Sequence, residues 1–147
     1  MKFQTLIDPT RERDEVVIYA KERTHKLAEL EGIIESFDEE LLGYGENGEI
    51  APISLSAVTA FVIEGGRVFA LVGKARLRLK SRLYEIEKQL GADFIRINQS
   101  CIGNLRMIAR FYASVGGALR VVFKNGYSDY VSRRQLKSIK ERMNIKL

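Results

Sequence analysis

Between Ala60 and Lys80 the chain reads AFVIEGGRVFALVGKARLRLK, and no other stretch constrains the fold as tightly. Two short runs rich in branched and aromatic residues, AFVI and RVFALV, flank Glu64, Gly65 and Gly66, which is the pattern of a β-hairpin. The run from Lys74 to Lys80 then alternates strictly. Successive side chains of a strand point to opposite faces, so Lys74, Arg76, Arg78 and Lys80 share one face and Ala75, Leu77 and Leu79 the other. A row of cations on a strand is either a solvated surface that protects a sheet edge, or a surface that meets a polyanion.

The same short-strand pattern continues from Ile53 to the last quarter of the chain. Phe94 to Ile97 reads as a strand, and LRVVFKNGYSDYVS as a hairpin whose tight turn takes positive backbone angles at Asn125 and Gly126. Leu83, Ile86 and Leu90 mark a short helix, with Gly91 at the usual place of a left-handed cap. A final helix follows Ser132, which forms a capping box with Gln135, and buries Leu136, Ile139 and Met143. Its first turn holds Arg133 and Arg134, against the preference of a helix amino terminus for acids. Exposed amides and two guanidinium groups at one helix end suit a phosphate or a guanine edge.

The amino-terminal part differs. EVVIYA, residues 15–20, predicts a strand, and Leu27, Leu30, Ile34, Phe37 and Leu41 form one helical stripe after an N-cap at Thr24. Residues 1–45 therefore read as an acidic strand-helix segment, joined through the turn-rich GYGENGEIAP, residues 43–52, to a domain over residues 50–147. The helical stripe either caps its own domain or forms a dimer interface, and a dimer is expected.

Charge separates the two parts. Residues 1–50 carry 6 Lys and Arg against 13 Asp and Glu, a balance of −7, whereas residues 51–147 carry 18 against 6, a balance of +12. A field of that sign attracts nucleic acid or an acidic membrane surface. With 147 residues, 46% of them hydrophobic, the chain is long enough for one ordinary folded domain or for a small domain plus an appendage. It shows neither a signal peptide nor an apolar run of about 18 residues, so a cytoplasmic location is expected. One cysteine, Cys101, and one histidine, His25, make neither a disulfide nor a usual zinc site, and no nucleophile elbow or P-loop is present. Neither an enzyme nor a cofactor nor a small-molecule substrate is expected. Tyr84, Phe94 and Phe111 fall at core positions by period, which favours duplex DNA over single strands.

The run FIRINQSCIGNL, residues 94–105, crowds Arg96, Asn98, Gln99, Ser100 and Asn104 around a strand end, with no acid after Asp93. Asn and Gln pair with adenine and Arg with guanine. FIRINQSCIGNLRMIARF is similar to the central motif of LytTR-type DNA-binding domains, and FKNG followed by YVSRRQLKSIKERM resembles that family's carboxy-terminal signature. Asn98 stands where histidine is common in the family, and Gly103 where valine is usual, a change expected to loosen the strand. The resemblance, from about Ile50 onward, implies an α+β fold of mostly antiparallel strands. It also implies a stand-alone transcriptional regulator, without a receiver domain, that inserts loops into the major groove of double-stranded DNA and bends it.

By motif position, the resemblance assigns base contacts to Arg67, Gln99 and Arg134, with Asn98 and Arg133 as neighbouring alternatives. Lys74, Arg76, Arg78, Lys80, Arg96, Ser100, Asn104 and Lys137 then make phosphate or supporting contacts, Asn104 being equally readable as a structural turn residue. A homodimer and a controlling membrane protein encoded nearby are the partners that similar regulators suggest. An RNA-binding module, or a basic membrane-surface or adaptor protein, is the alternative reading of the same charge.

Overall fold

The structure, a computed structural model, describes residues 1–36 and 41–146. Helix α1 (His25–Ser36) starts where Thr24 caps it, the Leu27 amide donating to Thr24 Oγ1 at 3.2 Å. Leu27 is buried, and Leu30 and Ile34 are half-buried; Phe37, the next member of the expected stripe, lies outside the described residues. The strand expected over residues 15–20 does not form, because those residues have no neighbouring strand to bond and stand exposed.

The stretch expected to be a junction is instead a hairpin. β1 (Leu42–Tyr44) pairs with β2 (Ile50–Pro52), and Tyr44 also pairs with Arg78 of β5 (Ala75–Leu79). β3 (Val58–Glu64) and β4 (Arg67–Val72) form the expected hairpin around Gly65 and Gly66, and β4 pairs onward with β5. β6 (Phe94–Asn98) turns through Gln99 and Ser100 into β7 (Cys101–Asn104), which bonds to β3. These seven strands form one sheet in the order β2-β1-β5-β4-β3-β7-β6. A second sheet has the order β10-β9-β8, from β8 (Ile108–Ala113), β9 (Leu119–Phe123) and β10 (Ser128–Tyr130). All these pairings are antiparallel.

Alternation decides which residues enter which core. One face of the large sheet, with Ala60, Val62, Leu71, Ile95, Ile97 and Cys101, packs on Leu119, Val121 and Phe123 of the small sheet and on Ile139 of α3 (Arg133–Met143). The opposite face, with Val58, Phe61, Val68, Ala70, Leu79 and Ile102, is covered by Leu83 and Ile86 of α2 (Leu83–Glu87) and by Leu41. β3 is apolar on both sides because it lies between both cores, and residues 58–62 are all buried.

Several local expectations are corrected. α2 ends at Glu87 with Lys88 still right-handed, so Gly91 is no left-handed cap. The β9-β10 turn takes a positive φ at Gly126 alone (93°), while the Asn125 side chain works on both sides: its Oδ1 accepts from the Tyr127 amide and its Nδ2 donates to the Gly73 carbonyl. Ser132 is the N-cap of α3 without a side-chain cap, so the capping box does not form. Tyr84 is 54% exposed rather than core.

Gly103 does not loosen β7. A Cβ there would stand 2.7 Å from Cζ of Phe123 and 3.1 Å from Cγ1 of Ile97, so the absent side chain is what lets the Phe123 ring reach the sheet. Asn104 is 2% exposed: its Nδ2 donates to the Val58 carbonyl at 2.9 Å and its Oδ1 accepts from the Arg106 amide at 3.0 Å. It therefore reaches no phosphate; it caps the 3-10 turn at Leu105–Met107 and ties it to β3.

Candidate nucleic-acid interface

The β6-β7 turn is held from three sides. Asn98 Oδ1 accepts from the Ser100 amide at 2.8 Å, and its Nδ2 donates to the Tyr130 carbonyl at 2.9 Å. Arg96 donates from Nε to Glu87 at 2.7 Å and from Nη1 to the Gln99 carbonyl at 3.0 Å. The Ile63 amide donates to the Ser100 carbonyl, and the Ser132 amide to the Ile97 carbonyl. These bonds leave the Gln99 side chain exposed and without a polar partner among the described residues. Asn98 thus bonds within the protein through both its side-chain oxygen and nitrogen, and Arg96 through Nε and Nη1.

The bond from Ser132 to Ile97 sets the start of α3 beside this turn. Arg96, Asn98, Gln99, Ser132, Arg134 and Gln135 consequently line one open groove of about 570 Å³. Arg133 and Arg134 are exposed in the first turn of α3, with no acid in that turn and no ion pair among the described residues. Lys137, one turn on, is likewise exposed. Gln99 and Arg134, expected from separate motifs, thus meet in one groove; Gln135 on its wall was read from the sequence only as part of a cap.

Register brings Arg67 to the same end. Val62 lies opposite Cys101 and Glu64 opposite Arg67, so the antiparallel ladder carried one step past Ile63 sets Glu64 beside Gln99. Arg67 is then two strand spacings from Gln99, roughly 10 Å. It is exposed. Glu64 itself is an acid the sequence reading overlooked at this end, and it is ion-paired with Arg76.

The cation row is not uniform. Arg76 lies over the Phe69 ring at 4.9 Å as well as pairing with Glu64, and Lys80 lies over the Tyr44 ring at 4.6 Å. Lys74 and Arg78 make neither an ion pair nor a ring contact among the described residues, and both are exposed. Since Val68 pairs with Leu79, the Lys80 end of β5 lies beside Arg67, and the row runs away from the groove toward Lys74 over roughly 20 Å.

Cys101, behind the turn, is fully buried, and desolvation pushes its thiol pKa up, so the reactive thiolate is suppressed. Tyr127 donates to Asp129 Oδ2 at 2.8 Å; burial first, then neighbouring acidic groups, raise its pKa and keep the phenol protonated.

If Arg96 acts by holding the turn, Arg96→Met should lower affinity for the cognate duplex about fivefold, roughly 1 kcal/mol, and leave scrambled duplex untouched. Faster hydrogen exchange at Gln99 and Ser100 would accompany it. Equal losses on both duplexes would make Arg96 a phosphate ligand instead.

The chain matches the model of the LytTr DNA-binding domain over residues 48–144. It is 34% identical over 147 residues to proteins named as HTH-type transcriptional regulators in Staphylococcus aureus strains NCTC 8325 and COL, covering 99% of each chain. The fold also matches the LytTr DNA-binding domain of a methyl-accepting/DNA response regulator from Bacillus cereus, with a TM-score of 0.66 and 20% identity over 73% of this chain and 99% of that one. Despite the relatives' name, no two consecutive helices of a helix-turn-helix occur among the described residues, where strands separate all three helices. With the match running from the start of β2 through α3, the chain belongs to the LytTR family of DNA-binding domains.

Proposed function

We propose that this protein is a transcriptional regulator that binds double-stranded DNA and reads base edges in the major groove. The observation that carries the reading is the meeting of the Gln99 and Arg134 side chains, neither with a charged or hydrogen-bonded partner among the described residues, in one groove. Gln99 would read adenine, Arg134 guanine, and Arg67 a further base beyond Glu64. Arg133 is the alternative to Arg134, whereas Asn98 holds the turn. Ser100, Lys137, Lys74 and Arg78 supply phosphate contacts, and Arg76 and Lys80 act from their places against Phe69 and Tyr44.

The span supports bending. From β5 to β6 there are four strand spacings, roughly 19 Å, and α3 lies beyond, whereas a major groove is about 12 Å wide. Phosphates on both sides of the groove come within reach when the duplex curves toward the protein. Two copies reading two half-sites complete the proposal.

One observation favours an RNA reading. In the small sheet Tyr112 pairs with Arg120, which pairs with Tyr130, and both tyrosines are exposed, with Arg120 over the Tyr112 ring at 4.6 Å. That outer face can stack unpaired bases.

Fluorescence anisotropy across a salt series decides between them, using duplex from upstream of the gene, scrambled duplex and single-stranded RNA. Preference for one duplex by about a thousandfold is expected. Tighter binding to the RNA would overturn the proposal in favour of the tyrosine face, and equal, steeply salt-dependent binding to all three would reduce the protein to a polycation.

A further inference from the structure

The apolar side chains that a dimer would cover lie mostly ahead of α1, where six stand well exposed, whereas Ile33 on the helix is 52% exposed. Phe3, Leu6, Ile7, Val16, Val17 and Tyr19 are 95, 80, 86, 65, 62 and 95% exposed. Asp8 and Thr10 turn the chain between the two apolar runs, with the Thr10 amide and hydroxyl both donating to Asp8 Oδ1. Among the described residues, no backbone amide from residue 12 to residue 23 bonds to another part of the chain. EVVIYA is rich in strand formers yet lacks a strand to pair with. A lone strand has nothing to bond, and even a two-stranded ribbon is marginal in water unless it covers an apolar face, so the segment needs both a neighbour and apolar cover.

We infer that residues 1–20 form an arm that pairs with the same arm of a second copy, Val16–Tyr19 bonding antiparallel to its twin across a two-fold axis. This rests on the homodimer of the proposed function and supplies its interface. The area suffices: Phe3 and Tyr19 offer about 150–250 Å² each and the aliphatic residues roughly 100 Å² each, against about 800 Å² per partner in a stable complex. Charge permits it as well. Residues 1–36 carry 6 Lys and Arg against 8 Asp and Glu, and Arg11 pairs with Asp8 and Glu15, and Arg23 with Glu31, so two arms repel little. A strongly charged partner finds no matching field on this arm. A two-fold contact between identical strands is self-complementary, as a closed dimer requires.

The test uses the full chain. Sedimentation of the native protein should give twice 16.7 kDa, and Val16→Asp with Ile18→Asp should give 16.7 kDa with an unchanged melting temperature of the folded domain, because these side chains are not part of either core. That variant should keep its affinity for one half-site and lose at least tenfold on a two-half-site duplex. Val17→Cys or Ile18→Cys should form a covalent dimer on mild oxidation, Cys101 being buried. A variant that stays dimeric would overturn the arm while sparing the homodimer. Loss of the dimer without any cysteine crosslink would place the arm on another surface, such as the open edge of β8, and overturn the strand pairing. A native protein that is monomeric on a two-half-site duplex would overturn both, and specific binding to a single half-site would still stand.

Discussion

Gln99→Ala is expected to leave the protein folded and DNA-bound but to lower affinity for the cognate duplex by about 1–3 kcal/mol, roughly 5- to 150-fold, with relaxed preference at one base pair. The expectation comes from a turn that is fully organised without the Gln99 side chain. Asn98, Arg96, Ile63 and Ser132 all bond around it, and only the Gln99 backbone carbonyl takes part. Removing the amide should therefore cost recognition and not stability. Lys137→Ala is the contrasting change. Lys137, exposed one turn into α3, is proposed as a phosphate contact, so every duplex should bind more weakly to the same degree, and the salt slope should fall by about 1. Titrating both variants against a set of single-base operator changes separates the two roles. A uniform loss from both would end the division between reading and anchoring.

Gly103→Val is expected to destabilise the domain by about 1–3 kcal/mol through overpacking. Each kcal/mol lowers the melting temperature of a domain this size by about 4–8 °C. The added side chain has no room, since even its Cβ would meet the edge of the Phe123 ring at 2.7 Å, and that ring is 1% exposed between the two sheets. The family's usual valine is thus excluded here by a residue twenty positions away. Shrinking the ring should restore space, so Gly103→Val with Phe123→Leu should melt higher than the sum of the single changes predicts. Calorimetry of the four proteins measures that coupling. Additive losses would show that the ring swings aside and that Gly103 has another reason to be glycine.

The hairpins, the cation row and the last helix were legible because each rests on a local rule: a period of two, a glycine turn, or apolar residues at spacings of three and four. Family motifs supplied Gln99 and Arg134 by position, but not their meeting, which comes from the bonds of Ser132 to Ile97 and Asn98 to Tyr130 and from the packing of Ile139 on the sheet. The same residue type fared differently at neighbouring sites. Asn98, Gln99 and Asn104 are all amides in one motif, yet Asn104 is sealed under β3, Asn98 is spent on the Ser100 amide and the Tyr130 carbonyl, and Gln99 alone stays open. Nothing in their spacing separates the three. Residues 15–20 failed as a strand for a related reason, because strand propensity acts only when a neighbouring strand is there to bond.

Sequence alone determined the class of this protein: short alternating strands, an α+β domain, a basic body with an acidic lead, and the two motifs of a DNA-binding family. These follow from side-chain period, turn chemistry and charge, all of which act over a few residues. The tertiary structure decided which polar groups remain available. It took Asn104 into the core, tied Arg96 to Glu87, set Arg76 between Phe69 and Glu64, and aligned Arg67, Gln99 and Arg134 at one end. A side chain can offer a hydrogen bond to DNA only if the fold has not already used it, and that depends on partners distant in the chain.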